Sequence, residues 1–176
     1  MKKHILVAIS GTSGCGNTTI SRIAAERLEL KFINFTFRSL AEERGISLKE
    51  MLELAANDDS IDNEVDRRQV ELARESGGCV IGSRLAIWML DEADLKVFLR
   101  ASAETRAARI FKREGGDIES VAAFTAERDL QDHNRYKRIY NINNDDYEFA
   151  DLIIDTDDMQ PDEIVQIIVD AANKIN

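Results

Sequence analysis

The feature that most constrains this chain is a glycine-rich stretch at residues 10–19, SGTSGCGNTT, set directly after the apolar run ILVAI. Gly11, Gly14 and Gly16 let the backbone turn tightly and point successive N–H groups inward, and a helix starting beyond them adds its positive dipole end. Together these make an anion cradle that needs no charged side chain. The backbone amides of Thr12, Ser13, Cys15, Asn17 and Thr19 are therefore expected to hold the phosphates of a nucleoside triphosphate, ATP. Thr18 stands where such a loop places its hydroxyl ligand to Mg²⁺. Asn17 occupies the place where lysine usually reaches the β- and γ-phosphates; asparagine donates a hydrogen bond but neutralises nothing. A plain glycine turn between a strand and a helix is the alternative, and the strand–loop–helix context with its well-placed hydroxyl favours phosphate.

Residues 5–9 are short, apolar and β-branched, which predicts a buried parallel strand. Helical spacing follows over 18–28, and a second strand is expected at 31–35. Short helices are expected at 38–45 and 47–56, the latter opened by a capping box of Ser47 and Glu50. A helix over 62–75 carries Val65, Gln69, Leu72 and Ala73 at helical spacing. Strands at 79–82, 95–99 and 152–154 alternate with helices at 105–113, 118–140 and from Pro161 to about residue 172. This alternation predicts a three-layer α/β fold, a parallel sheet flanked by helices, in one domain spanning 1–176.

A net charge of −10 over 176 residues excludes broad binding to nucleic acid or an anionic membrane. It leaves room for a small anionic ligand in a locally basic cleft. Cys15 and Cys79 form neither a disulfide framework nor a metal-ligand pattern, which fits a reducing compartment. The start MKKH resembles a secretory signal only briefly, because the apolar run ends at Ile9 against the glycine loop. The chain reads as a cytoplasmic monomer.

If the loop serves a phosphotransferase, positive charge must come from elsewhere. Arg106, Arg109 and Arg113 lie at i, i+3 and i+7, on one helix face; a solvated face is the alternative. Arg128, Asp132 and Arg135 interrupt a stripe otherwise formed by Val121, Phe124 and Ile139. Arginine on a core-facing stripe needs a counter-charge or an anionic ligand, and a structural Arg–Asp pair is the alternative. Arg38 opens a helix after the second strand, Arg67 and Arg68 sit mid-helix, and Arg84 follows the third strand, at the carboxyl edge where α/β sheets bind ligands.

The segments FRSLAEERG, IDNEVDRRQ, SRLAIWML, RAARIFKRE, ERDLQDHNRYKRIYNI and DLIIDT, in this order after the glycine loop, resemble the nucleoside monophosphate kinases, and among them the short, archaeal cytidylate kinases. That resemblance implies transfer of the γ-phosphoryl group of ATP, with Mg²⁺, to CMP or dCMP. It implies an acceptor-binding segment at about 36–76, with Arg38, Asp62, Arg67 and Arg84 on the acceptor side, and a lid at about 109–128. Arg109 and Arg113 match lid arginines, and Arg128, Asp132 and Arg135 match a triad holding the acceptor and the transferring phosphate. The chain departs from longer relatives at Asn17, at Ser83 and Leu85 around Arg84, and at Asp62, about where they carry arginine. Two other readings stay open: a kinase of the same fold for another small acceptor, and a nucleotide-binding switch without catalysis.

Overall fold

In the computed structural model, which describes residues 4–175, five parallel strands form the sheet. They are β1 (Leu6–Gly11), β2 (Lys31–Ile33), β3 (Cys79–Gly82), β4 (Leu95–Arg100) and β5 (Leu152–Asp155), in the spatial order β2-β3-β1-β4-β5. Lys2 and Lys3 of the charged start lie outside the described residues. β1 is central, pairing Val7 with Val80 of β3 on one side and with Leu95 of β4 on the other. Its residues Val7, Ala8 and Ile9 are wholly buried, which is why this strand is apolar without alternation. The connection from β1 runs through α1 to β2 and that from β3 through α5 back past β1 to β4, over opposite faces of the sheet, so a crevice opens at the carboxyl ends of β1 and β3.

Helix α1 (Asn17–Leu28) packs with α8 (Pro161–Ile175) on one face, around Ile20, Ala24, Ile164 and Ile168. The other face is covered by α4 (Asp59–Glu75) and the short α5 (Ala86–Met89), around Val70, Ala73, Ile87 and Phe98. A separate small core joins α2 (Phe37–Arg44), α3 (Leu48–Ala55) and α4 through Phe35, Leu40, Met51, Ile61 and Val65. Helices α6 (Ala103–Glu114) and α7 (Ile118–Tyr140) form a hairpin across residues 115–117.

Capping explains most boundaries. The expected Ser47–Glu50 box is present: the Glu50 amide donates to Ser47 Oγ at 3.2 Å and the Ser47 amide to Glu50 Oε2 at 2.8 Å. Thr36 and Ser39 make a second box that starts α2. Helix α4 begins before the expected residue 62, because Asp58 accepts from the Ser60 amide at 2.9 Å and caps it there. β2 stops at Ile33, short of the expected 35, which releases Asn34 and Phe35 toward the cleft. Among the described residues no helix is long and apolar enough to cross a membrane.

Candidate functional site

The carboxyl ends of β1 and β3 open into a cleft of about 1490 Å³, larger than the roughly 300–1,000 Å³ typical of a site for one small molecule. Residues 11–19 line one end of it. Gly14 and Gly16 take φ of 86° and 90°, a left-handed backbone that side chains disfavour. At Gly14 a Cβ would also lie 2.9 Å from the Arg106 carbonyl, so the loop seats directly on α6. There Arg106 Nη1 donates to the Ser13 carbonyl at 3.1 Å and pairs with Asp129 at 2.7 Å. Arg109 reaches the Gly14 carbonyl at 3.5 Å and donates to Thr156 Oγ1 at 2.9 Å. Within the loop the Cys15 N–H donates to the Thr12 carbonyl at 3.2 Å, and the neighbouring N–H groups remain for an anion.

Burial pushes the Cys15 thiol above its ordinary value, and its Sγ lies 3.2 Å from Thr12 Oγ1. Asn17 accepts from Ser21 Oγ at 3.3 Å, which leaves its amide N–H groups toward the cleft. Thr18 is exposed in the first turn of α1 and lines the same cleft. A hydroxyl with no hydrogen-bond partner among the described residues, beside a glycine-rich loop, suits Mg²⁺, a hard cation that takes few protein ligands and keeps phosphate and water oxygens.

A cluster built from three helical segments lines the same cleft. Arg84, just before α5, forms an ion pair with Asp132 of α7. Asp132 also holds Arg135 at 3.0 Å, and Arg135 reaches Asp62 of α4 at 3.2 Å. The Arg135 guanidinium lies 5.2 Å from the centre of the Tyr136 ring, a cation–π contact. Burial lowers the Arg84 pKa below its ordinary value and raises that of Asp62, against the pull of Arg135. Arg128 lines the cleft with no carboxylate partner among the described residues, whereas Arg113, also at the cleft, pairs with Glu114 at 2.5 Å. Five arginines thus face one cleft: Arg84, Arg109, Arg113, Arg128 and Arg135.

Some expected site residues are not brought there. Arg67 pairs with Glu71 at 2.5 Å on the exposed face of α4, and Arg38 is exposed in the first turn of α2; neither lines the cleft. The stripe on α7 also faces a different way from expected. Its buried residues are Thr125, Asp132 and Tyr136, a line that keeps Asp132 but is turned by about 50° from the expected one. Phe124 is 65% exposed and lines the cleft with Arg128, Asp132 and Arg135, so this part of the stripe is a cleft wall, not a core face. The first arginine face divides: Arg106 turns in to the loop carbonyl and Asp129, its side chain 12% exposed, while Arg113 stays in solvent.

Residues not singled out from the sequence complete the walls. Asp66 accepts from the Tyr140 hydroxyl at 2.6 Å, and burial pushes its pKa up to about 6. Gln69 lies 5% exposed, with Oε1 unpartnered among the described residues. Asp62, Val65, Asp66 and Gln69 sit at i, i+3, i+4 and i+7, and this mixed polar stripe was the signal available in the sequence.

A phosphate-binding loop at the switch point of a parallel sheet, faced by an arginine cluster, defines a nucleotide-dependent phosphotransferase of the P-loop kinase class. The fold agrees: shikimate kinase from Bacteroides thetaiotaomicron superposes with a TM-score of 0.64 over 96% of this chain and 98% of its own, at 16% identity. Residues 6–158 match the Cytidylate kinase-like family, and the chain belongs to it. It is 44% identical to cytidylate kinase 2 of Borreliella burgdorferi over 97% of this chain and 96% of that protein. It is 40% identical to a cytidylate kinase of Pyrococcus horikoshii, covering 99% and 92%.

Proposed function

We propose that the protein transfers the γ-phosphoryl group of ATP to CMP or dCMP, giving ADP and CDP or dCDP. The observation that carries this reading is the presence, in one cleft, of two constellations suited to anions on different elements: the loop of residues 11–19 and the Arg84–Asp132–Arg135 cluster. A single nucleotide site needs only the first. Family membership and the names of the relatives supply the acceptor.

The loop amides hold the ATP phosphates, and Arg109 and Arg113 approach from α6 as residues 109–128 fold over the nucleotide. Residues 36–76, with their own small core, form the acceptor-binding segment. Arg84 and Arg135 take the acceptor phosphate, positioned by Asp132, with Asp62 steering Arg135 from the other side. Arg128, free of a carboxylate, meets the charge spread over the transferring group. Thr18 is the protein's ligand to Mg²⁺, which enters with ATP and supplies charge neutralisation at the phosphates. The acceptor phosphate is already an anionic nucleophile, so the reaction needs positioning and neutralisation more than a base. Arginine in such a role contributes about 10³–10⁵-fold in rate, which accommodates Asn17 in place of lysine. In this reading the protein works as a monomer in the cytoplasm, without a nucleic-acid or membrane partner.

The test is ADP release from Mg-ATP across the common ribo- and deoxynucleoside monophosphates. Fastest turnover with CMP or dCMP supports the reading. Fastest turnover with a different acceptor reassigns the substrate, and ATP binding with no turnover leaves a switch instead of an enzyme.

A further inference from the structure

We propose that Asp66 and Gln69 read the hydrogen-bonding edge of the acceptor base and make the protein select an amino-bearing pyrimidine over an oxo-bearing one. This rests on the acceptor-nucleotide reading above. Both residues lie on α4, and both line the cleft beside the arginines that take the acceptor phosphate. Three positions apart on a helix, their side chains are neighbours at about 5–6 Å between Cβ atoms, within reach of one ring edge. Gln69 is 95% buried by the side chains around it, its relative exposure being 5%, yet its Oε1 has no partner among the described residues. A buried orphan acceptor on a cleft wall calls for a donor from a ligand.

The chemistry of that donor follows from the pair. Cytosine presents the N4 amino group, a donor, beside N3, an acceptor; uracil presents O4, an acceptor, beside N3–H, a donor. The Gln69 amide alone can serve either, because rotation exchanges its donor and acceptor ends. Asp66 removes the ambiguity. As a carboxylate it only accepts, and Tyr140 of α7 already donates to its Oδ2, leaving Oδ1 for the base. Facing cytosine, that oxygen receives an N4–H; facing uracil, it meets the lone pairs of O4. Burial favours the neutral acid, but the pKa of about 6 leaves Asp66 ionised at neutral pH. The charged and titratable groups around it are Asp62, Arg135 and the Tyr140 hydroxyl. Adenine offers the same edge as cytosine, so this pair sorts amino from oxo bases and leaves purine exclusion to the size of the cleft.

The test measures CMP and UMP affinity by calorimetry at about pH 8, with ADP release on the same samples, for wild type, Asp66→Asn, Gln69→Leu and Tyr140→Phe. Wild type is expected to favour CMP by about tenfold or more, the scale of one discriminating contact. Asp66→Asn should collapse that preference by losing CMP affinity while UMP holds or improves, and Gln69→Leu should weaken CMP and UMP together. Tyr140→Phe, which removes the hydrogen bond to Asp66 without touching the base, should keep the preference. Equal loss of CMP and UMP in Asp66→Asn, or Tyr140→Phe behaving like it, would make the pair structural and overturn the proposal. A wild type that binds and phosphorylates CMP and UMP equally overturns it too while sparing the kinase reading. Selective CMP binding without turnover does the reverse.

Discussion

Asp132→Asn is the most searching single change, because Asp132 joins the two arginines assigned to the acceptor phosphate. Its carboxylate, 10% exposed, holds Arg84 and Arg135, whose side chains are 26% and 32% exposed. Losing one partner of a fully buried pair costs about 3–5 kcal/mol. Here the arginines keep a quarter to a third of their surface in water, and asparagine still accepts one hydrogen bond, so the expected cost is about 2–3 kcal/mol. At roughly 2–4 °C per kcal/mol for a chain of this size, the melting temperature should fall by about 4–12 °C. Turnover should fall further than folding explains. With Arg84 and Arg135 no longer drawn to one carboxylate and only Arg135 keeping a second one, Asp62, kcat/KM for CMP should drop at least about tenfold, or ~1.4 kcal/mol in transition-state stabilisation, while KM for ATP stays put. Scanning calorimetry and steady-state kinetics well below the new melting temperature separate the two effects. A variant that melts early yet phosphorylates CMP at the wild-type rate in the cold would refute the positioning role.

Wild type, despite Asn17, should turn over CMP at roughly 1–100 per second; turnover thousands of times slower, restored by Asn17→Lys, would refute compensation by the arginines. Arg84→Ala should weaken CMP by about 1.5–3 kcal/mol with ATP affinity retained. Arg67→Ala, paired with Glu71 away from the cleft, should leave CMP affinity and stability within about 0.5 kcal/mol, and calorimetry on both variants checks the sorting. Asp66, raised from 3.8 to about 6 by burial, binds its proton more tightly folded than unfolded. Its contribution to stability is therefore full below about pH 4 and is lost as pH rises through about 6. Asp66→Asn should gain thermal stability relative to wild type across that window, and a difference flat with pH would contradict it.

The glycine loop made the first third of the fold legible, since loop, preceding strand and following helix each have a local cause in the sequence. Capping residues did the same for α3. The four-residue α5 left no periodic trace and went unread. At the site, spacing revealed which residues share a face but not where that face points. On α7 the stripe through Phe124 and Arg135 reads as core-facing, because apolar residues on a cleft wall and in a core look alike. On α4 the cleft took Asp62, Asp66 and Gln69, while Arg67, the more conspicuous charge, faces solvent. Contacts across the fold, Arg84 to Asp132 and Asp66 to Tyr140, join residues tens of positions apart, and no local pattern encodes them.

The central claim is that the phosphoryl group arrives on the phosphate of CMP. The direct measurement incubates the protein with Mg²⁺, γ-labelled ATP and CMP, and follows the label. Recovery of the label in CDP, in step with ADP formed, is the predicted result. Label released as inorganic phosphate, or retained in ATP while CMP stays bound, would contradict the account.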